Sequence, residues 1–303
     1  MQSKLSNHTV QGFLLAIIAT LLWSGNFIIA RKVSNAISPV SLAFFRWTCA
    51  SLVLLPFAYK QVIAEWSPLK ANWRILTWIA LTGIALFNTF VYVAGHNTTA
   101  INMALIGTTS SPIFATAMAV IFLKERLGFY RIIGMIICIL GIVLLISKGS
   151  WEVLFSFKFS SGDTWILAGA FAFAVYNILV RKKPVNISAL SFLLIIFVLG
   201  SLMLFPFFII EQLTVKTPTD WSPTLLGAIL YLGIGTSVLA FWCWNLAISK
   251  LGAGRTVLFG NLIPIFSTLE AILILGETVT PIHFYSGILV ISGLVIANIT
   301  FKK

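Results

Sequence analysis

Two ionisable side chains, Arg46 and Glu270, lie well inside otherwise apolar runs of this sequence. A charge within a membrane-length apolar segment is expensive and is by default a functional hypothesis. Arg46 offers a forked guanidinium that matches a carboxylate bidentately, or a long stem whose head snorkels to the surface. Glu270 offers a proton-coupling carboxylate, or a structural partner for a basic group in the other half of the chain. On an ideal helix it falls about 180° from Asn261, on the face of Phe266 and Ser267. Glu125 and Glu277, at the ends of apolar runs, read as residues that fix loops or cap helices.

Polar residues also recur at helical spacing. Asn88, Tyr92 and His96 are four apart and share one face, with Thr99 one turn on. Trp242, Asn245 and Ser249 follow at i, i+3, i+7, with Phe241 and Trp244 beside them. Such faces suit an amphipathic organic solute that stacks on rings while its amine or carboxylate is satisfied. The tryptophans equally suit an interfacial belt, and His96 a helix cap. Two prolines sit among hydroxyls and amides: Thr109, Pro112 and Thr116 in one run, Asn261, Pro264 and Thr268 in another. A proline inside a membrane helix frees a carbonyl, which is tolerated where neighbours or a wet cavity satisfy it. Alternatively the threonines bond back to their own helix. Trp23, Asn26 and Phe27, with counterparts Tyr176 and Asn177, fit either solute contact or interhelical bonding. The substrate-binding candidates are therefore Asn88, Tyr92, His96, Thr109, Pro112, Trp242, Asn245, Asn261, Pro264, Trp23, Asn26, Tyr176 and Arg46, with Glu270 as the coupling candidate.

Catalytic signatures are missing: no HExxH, no paired membrane aspartates and no glycine-rich phosphate loop. No enzyme activity, cofactor or metal is expected. Cys49, Cys138 and Cys243 all fall inside apolar runs and read as packing residues.

The elements that must position these residues follow from composition. Of 303 residues, 59% are hydrophobic and 9% charged, where soluble chains carry about a quarter charged. That excludes a soluble enzyme, a secreted disulfide scaffold and a disordered chain. Ten candidate spans read approximately as 10–30, 39–59, 75–95, 100–123, 132–147, 164–180, 188–210, 223–247, 254–275 and 282–300. The net charge of +12 is mostly a topology signal. With the N-terminus inside, fourteen Lys and Arg fall in inner segments and five in outer ones, which puts both termini in the cytoplasm. Arg31 and Lys32 argue locally the other way. Nucleic-acid binding is not expected. The first apolar run reads as an uncleaved helix rather than a signal peptide.

The chain repeats itself. Ser51-Leu-Val-Leu-Leu-Pro56-Phe57 matches Ser201-Leu-Met-Leu-Phe-Pro206-Phe207 at an offset of 150, and Pro112-Ile-Phe-Ala-Thr116 matches Pro264-Ile-Phe-Ser-Thr268 at 152. Two units follow, 1–150 and 151–303, together one transport domain. Each holds five spans, an odd number, so the second enters the membrane from the opposite side. Inverted repeats suit carriers that expose a midplane site to either side in turn, and paired discontinuities mark that site. Gly134, Gly141, Gly287 and Gly293 assign spans five and ten to close packing between the halves.

These residues resemble the ten-span branch of the drug/metabolite transporter superfamily, the EamA-type exporters. The resemblance covers nearly the whole chain. It rests on Trp23-Ser-Gly-Asn26-Phe27, on Phe45-Arg46-Trp47 with Leu55-Pro56, on Ser111-Pro112-Ile-Phe with Leu123-Lys-Glu125-Arg-Leu127, and on Ile263-Pro264-Ile-Phe with Leu275-Gly276-Glu277. It implies an inner-membrane carrier with five-plus-five helices around a central cavity, exporting amino acids, related metabolites or drugs. The aromatic stripes look like those of the amino-acid exporters. One departure is Asn261-Leu-Ile-Pro264, where many members place an acidic residue just before the proline. The expectation is an all-α membrane protein of ten transmembrane helices, a monomer exporting small metabolites, amino acids first, across the cytoplasmic membrane. A multidrug carrier of lipophilic cations, and a channel or sensor, remain the alternatives.

Overall fold

The structure, a computed structural model, describes residues 7–124, 128–152, 160–184, 186–215, 219–251, 256 and 259–297. Glu125 and Leu127 lie outside them. All regular structure among the described residues is helical. In chain order the long helices are α1 (Asn7–Lys32), α2 (Pro39–Ala64), α3 (Trp73–Gly95), α4 (Ala100–Leu123), α5 (Phe129–Ile146), α6 (Ser161–Val180), α7 (Ala189–Thr214), α8 (Pro223–Leu251), α9 (Gly260–Leu275) and α10 (Pro281–Ala297). A short helix, Trp66–Ala71, joins α2 to α3. Seven of these helices, α1 to α3 and α5 to α8, are long and apolar enough to cross a membrane, while α9 and α10 are shorter apolar helices.

Helix starts follow local chemistry. Pro39 and Pro223 open α2 and α8, where a missing N–H costs nothing. Ser188 and Ser222 accept hydrogen bonds from the third residue onward, Ser191 and Leu225. Large apolar side chains cover the outside of the bundle: Leu52, Phe57, Leu202 and Phe207 are each more than 60% exposed. Hydrocarbon, not water, is the solvent that such a surface matches.

Corresponding elements of the two halves take corresponding positions. α2 and α7 begin 150 residues apart and pack antiparallel, each closing the other with a carboxylate from its C-terminal end. Glu65 accepts from the Ser188 amide at 2.9 Å. Glu211 accepts from the Val40 and Ser41 amides at 3.2 and 2.7 Å. The Ser188 amide holds the Glu65 carboxyl below the usual carboxylate range. Glu277 likewise caps α4 through the Ala100 and Ile101 amides at 2.8 and 3.2 Å, as its place at a span end suggested. α3 and α8 both turn π-helical, at Leu81–Leu86 and Tyr231–Leu239, again starting 150 residues apart.

α5 and α10 meet backbone to backbone. A Cβ on Gly134 would overlap the Gly293 carbonyl, and one on Gly293 would lie 2.6 Å from the Gly134 carbonyl. Gly141 sits against Ser286 and Leu289, whereas Gly287 has open space around it and takes no part. Cys138 packs in this seam, its thiol 3.5 Å from the Val290 carbonyl. All three cysteines are free.

Candidate functional site

Arg46 lies two turns into α2 and is 4% exposed. Its Nε donates to Ser237 Oγ on α8 at 3.0 Å. Its Nη1 lies 2.7 Å from Asn26 Oδ1 on α1 and 2.6 and 2.7 Å from Asn88 Oδ1 and Tyr92 Oη on α3, three acceptors sharing two hydrogens. The guanidinium also lies 4.5 Å from the centre of the Trp47 ring. Four helices thus converge on one cation, and every bonding partner is a neutral oxygen. A buried charge ordinarily acquires a counter-charge; here none of the partners is a carboxylate.

The donor arithmetic sharpens this. A guanidinium only donates, so the amides of Asn26 and Asn88 must turn their oxygens to it and their Nδ2 groups away. Tyr92 Oη donates on to Asn26 Oδ1 at 3.3 Å, and Ser237 donates to the Leu232 carbonyl at 2.9 Å. Three donor groups remain without a partner among the described residues: Arg46 Nη2, Asn26 Nδ2 and Asn88 Nδ2. A charged donor flanked by two neutral ones is what a carboxylate accepts best.

A second seam lies across α1. Ser24 and Asn26 are two residues apart, about 200° round the helix, so Ser24 faces α9 while Asn26 faces Arg46. Ser24 Oγ is 2.7 Å from Glu270 Oε1 and 2.7 Å from the Leu21 carbonyl. A hydroxyl has one hydrogen. The Ser24 hydrogen therefore serves either Glu270 Oε1 or the Leu21 carbonyl, and ionisation of Glu270 favours the first. Glu270 Oε2 is buried with no partner among the described residues. Ser267, one turn earlier, donates to the Ser24 carbonyl at 3.3 Å, so the face of Ser267 and Glu270 is the one that meets α1. On the third side of α1, Trp23 Nε1 donates to the Thr236 carbonyl at 3.1 Å and its ring packs on Phe241 and Trp244. Tyr231 Oη donates to the Leu22 carbonyl at 3.0 Å.

The structure therefore joins Asn26, Arg46, Asn88 and Tyr92 of the expected residues and sets the others apart. Trp242 is 61% exposed on the outside of the bundle, and Asn245 is exposed and bonds back to the Phe241 carbonyl at 2.9 Å. The π-helical stretch of α8 is nine residues against six in α3, so residues beyond it no longer point as their repeat counterparts do. Phe241 and Trp244 face inward instead. Tyr176 is buried against Gly83 and stacks on Phe173, 5.3 Å between centroids. Thr109 is fully buried, its hydroxyl without a partner among the described residues, while Pro112 is exposed between buried Ser111 and half-buried Ile113 on a helix that continues through it. Thr116 accepts from Arg131 Nη2 at 3.0 Å. α9 is interrupted at its proline: a 3-10 turn at Gly260–Leu262, which includes Asn261, precedes helix from Ile263. Thr268 bonds back to the Pro264 carbonyl at 2.8 Å. None of the proline-stripe residues hydrogen-bonds to the Arg46 cluster. His96 is exposed at the end of α3; desolvation and the neighbouring Arg31 cation hold its imidazole below the usual histidine range. Ser237 and Ser24 were not on the list of candidates. Ser24 stands within Trp23-Ser-Gly-Asn26, but Ser237 carries no signal in spacing.

Comparison with known proteins fits this architecture. The family model of the EamA-like transporter family matches residues 10–147 and again 160–299. An "Uncharacterized transporter" of Archaeoglobus fulgidus is 29% identical over 93% of this chain and 95% of its own. The transporter YyaM of Bacillus subtilis is 27% identical over 94% and 93%. A protein named "Probable amino-acid metabolite efflux pump" in Salmonella typhimurium is 23% identical over 95% of each. A protein of known crystal structure superposes with a TM-score of 0.62 over 96% of both chains at 19% identity, which shows a shared fold.

Proposed function

Since the chain belongs to the EamA-like transporter family, a family of multi-pass membrane carriers of small molecules, we propose that it exports small organic metabolites bearing a carboxylate, amino acids first among them, across the cytoplasmic membrane. In this reading residues 1–150 and 151–303 form two five-helix repeats of opposite orientation, ten helices cross the membrane with both termini inside, and a monomer works by alternating access. The observation that carries the solute class is the buried Arg46 with only neutral partners and three unpartnered donors beside it. A carboxylate would complete that set. A lipophilic cation would meet the wrong charge there, which ranks multidrug efflux second. The efflux pump among the relatives supports the amino-acid reading. Glu270, switching Ser24 between two acceptors, is the group proposed to couple proton movement to the motion of α1 against α9.

The test is counterflow into proteoliposomes loaded with single amino acids. Arg46→Lys, which keeps the charge but loses the fork, and Asn88→Ala should each lower uptake at least about tenfold, as expected for a lost charge-assisted bond, while the melting temperature of the unliganded protein identifies any variant that fails to fold. Unchanged uptake in both folded variants would remove the cluster from the solute path. Glu270→Gln should abolish pH-driven flux and spare exchange; persistence of pH-driven flux would make Glu270 structural.

A further inference from the structure

A recess of about 430 Å³ opens where α1 and α3 end, lined among others by Arg31, His96, Lys148, Asp163 and His283. It shares no residue with the Arg46 cluster, and both halves of the chain contribute to it. Its size lies at the lower end of the range of small-molecule sites, about 300 Å³ upward.

Opposite charges stand ready in it. Asp163 is 2% exposed, and Thr98 Oγ1 donates to its Oδ1 at 2.8 Å. Asn102 Nδ2, one turn from Thr98, donates to the Thr98 hydroxyl at 3.3 Å and stands close enough to the carboxylate to favour its ionised form. Asp163 forms no ion pair within 4 Å among the described residues and keeps acceptor capacity toward the recess. Arg31 gives Nη1 to the Gly95 carbonyl at 3.0 Å, leaving Nε and Nη2 without a partner among the described residues. Lys148 is exposed, on backbone held at φ 52°; its ammonium hydrogen-bonds to none of the described residues and acts on the Asp163 carboxylate across the recess. His283 is oriented by Asn102 Oδ1 at 3.1 Å and by Thr280 Oγ1 at 2.9 Å.

The charges also explain an oddity of the sequence. Arg31 and Lys148 belong to the minority of basic residues on the outer side of the topology, where insertion disfavours them. A binding duty accounts for their position there. The recess is in line with the buried cluster: His96 is one turn beyond Tyr92 on α3, and Arg31 is five residues beyond Asn26 on α1, so about 6–8 Å separate the two levels along each helix.

We propose that this recess is a second binding station for a small zwitterion, its carboxylate held by Arg31 and Lys148 and its ammonium by Asp163, next in line to the Arg46 cluster. The identity of the solute and the outward placement of the recess rest on the reading above; the charges that form the station rest on the recess.

The chain contains three histidines, two of them in the recess and the third, His8, at the opposite end of α1, so imidazole resonances report on this site with an internal control. The experiment titrates the full-length, histidine-labelled protein in detergent with L-alanine, propionate and ethylamine, which differ only in the groups the recess is proposed to read. L-Alanine should shift His96 and His283 saturably and leave His8 still. Propionate and ethylamine should each require about tenfold higher concentration, the usual cost of one lost charge-assisted bond. Arg31→Gln and Lys148→Gln should bring L-alanine down to the level of ethylamine, and Asp163→Asn, which keeps the bond from Thr98, down to that of propionate. Arg46→Lys should leave the histidine response unchanged. If R46K retains full counterflow while the histidine response stands, the central reading fails and the station survives. No saturable shift with any of the three probes, or a shift for L-alanine that folded R31Q, K148Q and D163N all leave untouched, or one abolished by R46K, would overturn the station.

Discussion

Arg46 is a cation whose own protein supplies it with dipoles and no counter-charge. Under the proposed function, that arrangement leaves the neutralising role to the solute's carboxylate. Asn88 and Tyr92 were readable as a stripe from their spacing of four, and Arg46 from its isolation in an apolar run. Their convergence on one guanidinium was not, because nothing in the sequence says which face of α2 turns toward α3. Ser237 was hidden for the same reason. At the edge of this scale His96 makes a pH prediction. Partial desolvation of the ring and the Arg31 cation outweigh the opposing pull of Glu211 and favour its neutral form in the folded chain, so between the folded and unfolded midpoints the unfolded chain binds more protons. Its contribution to stability is complete above about pH 6.5 and is lost as the pH falls through the lower folded value. Imidazole resonances should titrate below about pH 6.5 for His96, and Arg31→Gln should raise that midpoint. A midpoint at or above the ordinary value in the native protein would contradict the placement of Arg31 beside it.

Among the elements, helices were legible from the length of the apolar runs, and the start of α2 from Ser38-Pro39. The π-helical stretches of α3 and α8 were not, since a run such as Leu-Thr-Gly-Ile-Ala-Leu carries the same apolar pattern at either pitch. That local change of pitch is why Trp242 and Asn245, extrapolated along an ideal α8, face outward while Phe241 and Trp244 face in. The seam of α5 and α10 gives the sharpest prediction at this scale. Gly134→Val places a side chain against the Gly293 carbonyl and the Ala297 backbone, neither of which has a flexible end to yield. It should lower stability by several kcal/mol, at the upper end of overpacking costs of about 1–3 kcal/mol and more. Gly287→Val, with open space around it, should change the melting temperature little. Equal effects of the two substitutions would show that α5 and α10 are not packed as described.

Across the whole molecule the scaffold is duplicated and the chemistry is not. Asn26, Arg46, Asn88 and Tyr92 all come from the first half, and the second half answers Arg46 with Ile196 and Tyr92 with Trp242 at the 150-residue offset. The 150-residue offset is legible in the sequence and again in the helix starts, while the matching positions do not carry matching side chains. The closure of α2 and α7 by each other's carboxylates, at both ends at once, has a mechanical meaning. Under the alternating access proposed above, a pair pinned at its top and its bottom is the axle about which the doors swing, not a door. Clamping it should then be harmless. In a background freed of the three native cysteines, Ser41→Cys and Gln212→Cys, at positions whose side chains meet at 2.9 Å, joined by a short bifunctional thiol reagent, should leave counterflow at its uncrosslinked rate. Transport arrested by that staple and restored by cleaving it would mean that the axle itself must come apart on every turn.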